Sequence, residues 1–299
     1  MVVPDYGQIM LAHNKDKWET IAREINIPVP ETFEPVDIRK DTRLLAGLPY
    51  PLYIKPKQGG GGWGMSLINS QEELESFLSR GTYFDRCWDR FYLQRKIEGE
   101  THCVAMLFNK GQLRAKVAYK QIREYPLWSG QATLRISINT PLAESHLQKM
   151  LEYLDWHGVC QADFVVENKS GIPYMIDLNP RFWGSLAQGI AAGVDFPYMY
   201  YRIAIDGDVE PLKGFETGVI TRWIGGDLRA FFPSLKVASG KMKFIKQFFY
   251  PSASKIQNDD FSFEDPLPFF AWCIDALSRL IKNRSVNPVS HDSLQGIWK

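Results

Sequence analysis

Asp163, Asp177 and Asn179 lie on the two arms of one segment, VCQADFVVENKSGIPYMIDLNPR. It reads as a β-hairpin that turns near Asn168 to Gly171. Residues two apart on a strand face the same side, so Asp177 and Asn179 point together, and Asp163 joins them from the partner strand if the register permits. Two carboxylates and an amide oxygen make a hard-oxygen site suited to Mg²⁺, which keeps its other positions for water and nucleotide phosphates. Arg181 falls on that face and would offset the charge of a transferred phosphoryl group. The competing reading is a polar strand end capped by its own Asp and Asn.

A second element of this kind begins at Lys55. The strand PLYIKP leads into four consecutive glycines, Gly59, Gly60, Gly61 and Gly62, and MSLI returns as a strand. Glycine lets backbone N–H groups converge on a phosphate with no Cβ in the way, and a nearby lysine adds a full charge. No Gly-Lys-Ser/Thr follows, so this is not a Walker loop. A strand rather than a helix comes next, so it is not a dinucleotide fingerprint either. A flexible hairpin loop is the plainer alternative.

The elements that must position these residues alternate along the chain. KDKWETIAREI, with Trp18, Ile21, Ala22 and Ile25 at helical spacing, predicts a helix. SQEELESF starts another, and Leu142 to Trp156 a third. FYLQRKI is a strand, and THCVAMLFNKGQLRAKVAYKQ is a hairpin turning at Asn109-Lys110-Gly111. The small-residue run from Trp183, WGSLAQGIAAG, reads as a closely packed helix. After about Gly214 the character changes: ITRWIGGDLRAFF predicts a strand and a helix, and DPLPFFAWCIDALSRLIKNR a closing helix. Frequent hairpins argue for α+β units rather than an all-parallel doubly wound sheet.

The 299 residues carry 45% hydrophobic and 23% charged side chains and a net charge of +1, an ordinary globular balance with no global basic field for nucleic acid. Cys87, Cys103, Cys160 and Cys273 form no CxxC, which favours a reduced, cytoplasmic setting. The first residues, MVVPDYGQIMLAHNKDKW, show no basic segment followed by an apolar run. No stretch reaches the ~18 apolar residues of a membrane-spanning helix. His102, His146 and His157 have no partner at metal-ligand spacing.

The order of Lys55 strand, glycine flap, hinge strand, Asp163 and then DLNPR resembles the ATP-grasp superfamily, with its acidic-x-Asn-x-Arg signature. The resemblance runs from about Asn14 to Asp208. LAHNKDKWETIAREINIPVPET, LDWHGVCQADFV and DLNPRFWGSLAQGIAAGVDFP are most similar to the carbamoyl-phosphate-synthase-like carboxylate–amine ligases, a branch that includes carboligases and D-aspartate ligase. It implies an α+β ATP-grasp fold of two subdomains clasping the nucleotide, with a small C-terminal helical extension. The expected division is a remnant of an N-terminal domain with its leading helix (1–44), a lid subdomain with the flap (45–103), a large subdomain with the metal site (104–214) and the extension (215–299).

The resemblance also implies roles. Lys15 and Lys55 would contact nucleotide phosphates under a flap of Gly59 to Gly62. The backbone of Gln94, Arg95, Lys96 and Ile97 would read the adenine edge, and Glu100 would hold the ribose hydroxyls. Asp163, Asp177 and Asn179 would hold Mg²⁺, for which Mn²⁺ can substitute. Arg181 would contact the phosphoryl group and the activated carboxylate. Within KQIREYPLWSGQATLRISI, Arg123, Ser129, Gln131 and Arg135 would bind the substrate carboxylate, since arginine does so bidentately, with solvated strand charges as the alternative. The sequence departs from the pattern at Asp177, where Glu is usual, and at Gln94, where Glu is frequent.

The implied activity is an ATP-dependent ligase that makes an acyl phosphate from a carboxylate and passes it to an amine. Relatives carry roughly 100 residues of an α/β domain before the first helix, whereas about a dozen precede Lys15 here. The expectation is a substrate site completed by a separate N-terminal domain or subunit, and slow turnover by this chain alone. Two rivals belong to other classes. One is a non-catalytic nucleotide-binding or regulatory subunit. The other is a peripheral membrane protein using Lys236, Lys241, Lys243 and Lys246 with Phe244, Phe248 and Phe249.

Overall fold

The computed structural model describes residues 2–35, 42–57, 65–79, 90–125, 130–238, 240–249 and 256–283. The chain divides into two compact units, Met1–Gln121 with Ile136–Val219, and Ile122–Arg135 with Ile220–Lys299.

The first unit opens with helices α1 (Tyr6–His13) and α2 (Lys15–Glu24). The periodicity of KDKWETIAREI is realised in α2: Trp18 and Ala22 are fully buried, and beyond the C-cap Ile25 the chain turns at Asn26, which takes a left-handed φ of 56°. Four short strands follow, β1 (Thr32–Phe33), β2 (Leu52–Pro56), β3 (Ser66–Ile68) and β4 (Phe91–Arg95), with helix α3 (Gln71–Ser79) after β3. They form an antiparallel sheet in the order β1-β4-β2-β3, in which Lys55 lies opposite Tyr92 and Tyr53 opposite Gln94.

The long strands β5 (Gly99–Asn109) and β6 (Gln112–Tyr125) make the predicted hairpin, and β8 (Gly158–Glu167) and β9 (Pro173–Asn179) the second; the order here is β6-β5-β8-β9, all antiparallel. Lys110 and Gly111 both have positive φ, 48° and 73°, the pairing a tight two-residue hairpin turn requires. CVAMLF in β5 reads as an unbroken apolar run because both sheet faces are covered. Val104, Met106 and Phe108 pack with Trp18 of α2 and with Leu147 and Met150 of α4 (Pro141–Tyr153). Cys103, Ala105 and Leu107 pack with Phe196, Met199 and Ile203 of α6 (Phe196–Asp206). Burying a side chain of this size contributes about 1.5–3 kcal/mol, so both faces hold β5 in register. The helix expected from Trp183 starts only at Leu186 (α5, Leu186–Ala191). Trp183 instead sits edge-on against Phe196, ring centres 5.1 Å apart.

The second unit contains the end of β6, most of β7 (Gln131–Ser137), strands β10 (Ile220–Arg222) and β11 (Ile256–Asn258), and helices α7 (Ile224–Val237), α8 (Lys241–Phe249) and α9 (Leu267–Asn283). β10 and β11 run parallel; at three residues each they are too short for periodicity to reveal. Buried Asp227 ties this unit together. It accepts from Arg123, Arg222 and Thr133 at 2.5–3.0 Å. The Arg123 and Arg222 guanidiniums lie over the Phe248 ring, 4.7 and 5.0 Å from its centre, and the ring packs against Phe231 and Phe244. Phe248 is thus turned into protein rather than toward a lipid surface, with Phe244 half-buried beside it. No described helix is long and apolar enough to cross a membrane.

Gly99 opens β5 against β8, where an added Cβ would fall 2.0 Å from the Val166 carbonyl oxygen; at Gly47 it would meet nothing within 4 Å. Gly99→Ala is expected to destabilise the fold by about 1–3 kcal/mol and Gly47→Ala to be nearly neutral. Urea unfolding midpoints of the two variants check this.

Candidate functional site

The β8–β9 register sets Asp163 directly opposite Asp177 and Gln161 opposite Asn179. Pairing passes from Phe164↔Met175 to Asp163↔Asp177, which leaves Ile176 as the extra residue of a bulge. In a regular strand Asp177 would follow Met175 onto the core face. The bulge separates them: Met175 is fully buried among apolar side chains, while Asp177 stays half-buried and pairs with the Lys15 ammonium from the first turn of α2. The Lys15 amide donates to Lys57 O at 3.0 Å, fixing that helix end beside β2.

Two carboxylates side by side repel. Burial first, and the Asp177 charge second, push the Asp163 carboxyl up to about 6, against the hydrogen bonds from Cys103 and Gln161 and the charge of Lys15. The Cys103 thiol, buried and facing Asp163, is pushed well above its usual range mainly by burial.

Lys55 enters the same cluster from the small sheet. It is 5% exposed, and its Nζ donates to Gln94 Oε1 at 2.7 Å. Gln94 Nε2 donates to Glu19 Oε1 at 2.9 Å, and Glu19 Oε2 accepts from Arg23 and Thr32, both at 3.0 Å. Burial, then the Lys15 charge, bring the Lys55 ammonium down to about 8, while Asp177, Glu19 and Asp163 act the other way. Lys15, Lys55, Asp163 and Asp177 therefore form one cluster, in which the charges of Lys15 and Asp177 bear on both Lys55 and Asp163.

In the predicted hinge, the Gln94 side chain faces Lys55 and Glu19. The Arg95 amide donates to Glu31 O at 2.8 Å and the Lys96 amide to Pro51 O at 3.0 Å. Ile97 is buried. The Arg95 guanidinium lies over Tyr174, and Lys96 pairs with Glu98 at 2.6 Å. Glu100 is exposed and pairs with Lys120 at 3.0 Å. Arg181, exposed at the end of β9, donates to Asn179 Oδ1 at 3.0 Å. Gly59, Gly60, Gly61, Gly62 and Ser129 lie outside the described residues. Of the remaining substrate-segment residues, Gln131 is exposed at the start of β7. Arg123 grips Asp227 bidentately, and Arg135, 1% exposed, holds Asp259 and Thr221. The carboxylate recognition expected of these arginines is directed at the chain's own aspartates, bidentately at Arg123.

Two participants escaped the sequence reading. Gln161 bridges Asp163 and Asn179, and its spacing two residues before Asp163 was the available signal. Glu19 carried none, because a helical glutamate ordinarily faces solvent.

Among the described residues no three His, Cys, Asp or Glu side chains form a metal cage. The donor set here is two carboxylates and an amide oxygen, all hard, and a divalent cation would offset both the burial and the Asp177 charge that raise Asp163. That fits Mg²⁺ completed by water and phosphate oxygens.

The raised Asp163 value has a signed consequence. A group whose pKa is higher in the folded state contributes stability that is full below its unfolded value of 3.8 and is lost as pH rises through about 6. Without metal, the wild type is expected to lose roughly 1–1.5 kcal/mol between pH 5 and 7.5 relative to Asp163→Asn. Denaturant unfolding of both proteins in a chelator at the two pH values checks the sign.

Comparison with known proteins places the chain in a family and a fold. A family model described as the ATP-grasp domain matches residues 14–185. The chain is 24% identical over 221 residues to the carbamoyl phosphate synthase large chain of Saccharolobus solfataricus, covering 66% of this chain and 20% of that one. It thus spans about a fifth of the length of the curated relatives it matches. Among solved structures it is similar to a biotin carboxylase–beta-gamma-ATP complex from Campylobacter jejuni (TM-score 0.60, 17% identity, 73% of this chain and 52% of that chain). It is also similar to the MgADP- and bicarbonate-bound biotin carboxylase domain of Hydrogenobacter thermophilus 2-oxoglutarate carboxylase (0.59, 20%, 73% and 51%) and to an L-amino acid ligase from Bacillus licheniformis (0.51, 18%, 67% and 49%). The structural likenesses establish the shared α+β fold, and the match across residues 14–185 establishes the lineage: the chain belongs to the ATP-grasp family.

Proposed function

We propose that this chain is an ATP-dependent carboxylate–amine ligase. The observation that carries the proposal is the meeting of Asp163, Asp177 and Asn179 on β8–β9 with the Lys15 and Lys55 ammonium groups. Adjacent hard-oxygen donors beside two lysines suit a polyphosphate carrying a divalent cation. Asp163, Asp177 and Asn179 would hold Mg²⁺, which when bound would draw charge from the phosphate oxygens. Lys15 and Lys55 neutralise the phosphates, and Lys15 exchanges its pairing with Asp177 for the nucleotide. The Gln94–Ile97 backbone takes the adenine edge, Glu100 the ribose, and Gly59–Gly62 covers the phosphates.

In the first step an oxygen of the substrate carboxylate attacks the γ-phosphorus and ADP leaves, giving an acyl phosphate. Lys55 and Arg181 balance the charge spread over the transferred group. In the second, an amine attacks the acyl carbon, inorganic phosphate leaves, and the amine gives up a proton. The protein's part is positioning and charge neutralisation. Gln131 is the described residue of the substrate segment proposed to face the acid, Arg123 and Arg135 being engaged by aspartates. A further domain or subunit is proposed to complete the acyl and amine sites.

Mg-ATP is expected to raise the melting temperature, with about 2.7 kcal/mol of added stability at 100 times the dissociation constant. Asp177→Asn and Asn179→Ala are expected to keep the fold and abolish the metal-dependent part of that shift. A phosphate-release screen over carboxylates and amines then tests the chemistry. Nucleotide binding with no acid- and amine-dependent ADP formation, even with an upstream domain supplied, would leave the ligase assignment without support.

A further inference from the structure

We infer that Gln161 is a positioning residue that turns the Asn179 side-chain oxygen toward the cation. The inference rests on the metal site proposed above and adds to it a residue outside the acidic-x-Asn-x-Arg signature.

Gln161 is 4% exposed and lies opposite Asn179 across β8–β9. Its Nε2 donates to Asp163 Oδ1 at 2.6 Å, and its Oε1 accepts from Asn179 Nδ2 at 2.9 Å. Asn179 Oδ1 in turn accepts from Arg181 at 3.0 Å. The four side chains form one line, and its ends fix its direction. A carboxylate only accepts and a guanidinium only donates. Facing Asp163, Gln161 must present its NH₂ group, so its carbonyl faces Asn179. Asn179 must answer with its own NH₂, which leaves its oxygen on the open side. Reversing either amide would set acceptor against acceptor or donor against donor.

The two ends of an asparagine amide are nearly alike in shape and opposite in use. The oxygen can ligate a hard cation, and the NH₂ group cannot. The choice falls to the neighbours: Gln161 accepts from the NH₂ end, and Arg181, exposed at the strand end, donates to the oxygen. Of the two, Gln161 is the buried one. Outer-sphere partners of this kind typically contribute 10–100-fold to metal affinity. Gln161 touches neither nucleotide nor substrate in this account; it acts through Asn179.

An aspartate at 179 presents an oxygen in either rotation and needs no such orientation, which supplies the test. Mn²⁺ uptake is read by the loss of the free-ion spin-resonance signal, with a non-hydrolysable ATP analogue present. It is measured for wild type, Gln161→Met, Asn179→Asp and the double variant. Methionine keeps the length of glutamine and removes both polar ends. The expected result is roughly a 10-fold loss of Mn²⁺ affinity for Gln161→Met and a much smaller effect of the same change on the Asn179→Asp background. An equal loss on both backgrounds, or no loss on the native one, overturns the inference while leaving the metal site standing. A wild type that takes up no Mn²⁺ with nucleotide overturns the metal site and the inference together. If Gln161→Met does not fold, Gln161→Ala run through the same cycle carries the comparison with the same criteria.

Discussion

The first unit is organised around a repulsion. Asp163 and Asp177 are forced opposite one another by the β8–β9 register, and the strands cannot slip to relieve them. A slip of one residue would turn Phe164 and Met175, both fully buried, out of the core. Apolar packing thus holds two like charges together, and the Asp163 carboxyl is raised first by its burial and then by the Asp177 charge. The lysine at the start of α2 answers part of the charge. Acidic groups and lysines held in place by a well-packed core suit the cation and phosphate binding proposed above.

The small sheet is coupled to this centre by a polar chain. Lys55, Gln94 and Glu19 pass hydrogen bonds from β2 through β4 to α2. All three are nearly fully buried, where an unsatisfied polar group is costly, so the three elements hold one another's position. A hinge-strand residue expected to serve the nucleotide is thereby also part of the framework that sets where Lys55 points. The second unit has its own polar centre in Asp227, which binds Arg123, Arg222 and Thr133. Removing one partner of a buried pair leaves a stranded charge, so Arg123 is structurally committed there.

Much of the site was legible because it depends on short-range pattern. The strand with Lys55, the paired Asp177 and Asn179, the Lys110-Gly111 turn and the amphipathic α2 are local in sequence, and period-2 and period-3.6 arguments reach them. The spacing rule also pointed at Gln161, which was passed over because an amide carries no charge to draw notice. The fate of Arg123 and Arg135 was not legible. Their partners Asp227 and Asp259 are far away in sequence, and β10 and β11 are too short to announce themselves.

What the sequence by itself determined is the set of elements and the chemistry each can carry: an acidic hairpin, a lysine strand, a glycine run, and apolar runs such as CVAMLF that must be buried on both sides. Tertiary structure decided which of those groups meet. Only the register shift at Ile176 turns Asp177 away from the core beside Asp163, and only the packing of α2 on the sheet carries Lys15 to Asp177 and Glu19 to Gln94. Side-chain type is local information. Charge pairing, desolvation and the pKa values they shift depend on distances between residues up to 162 positions apart in the chain, and those distances exist only after folding.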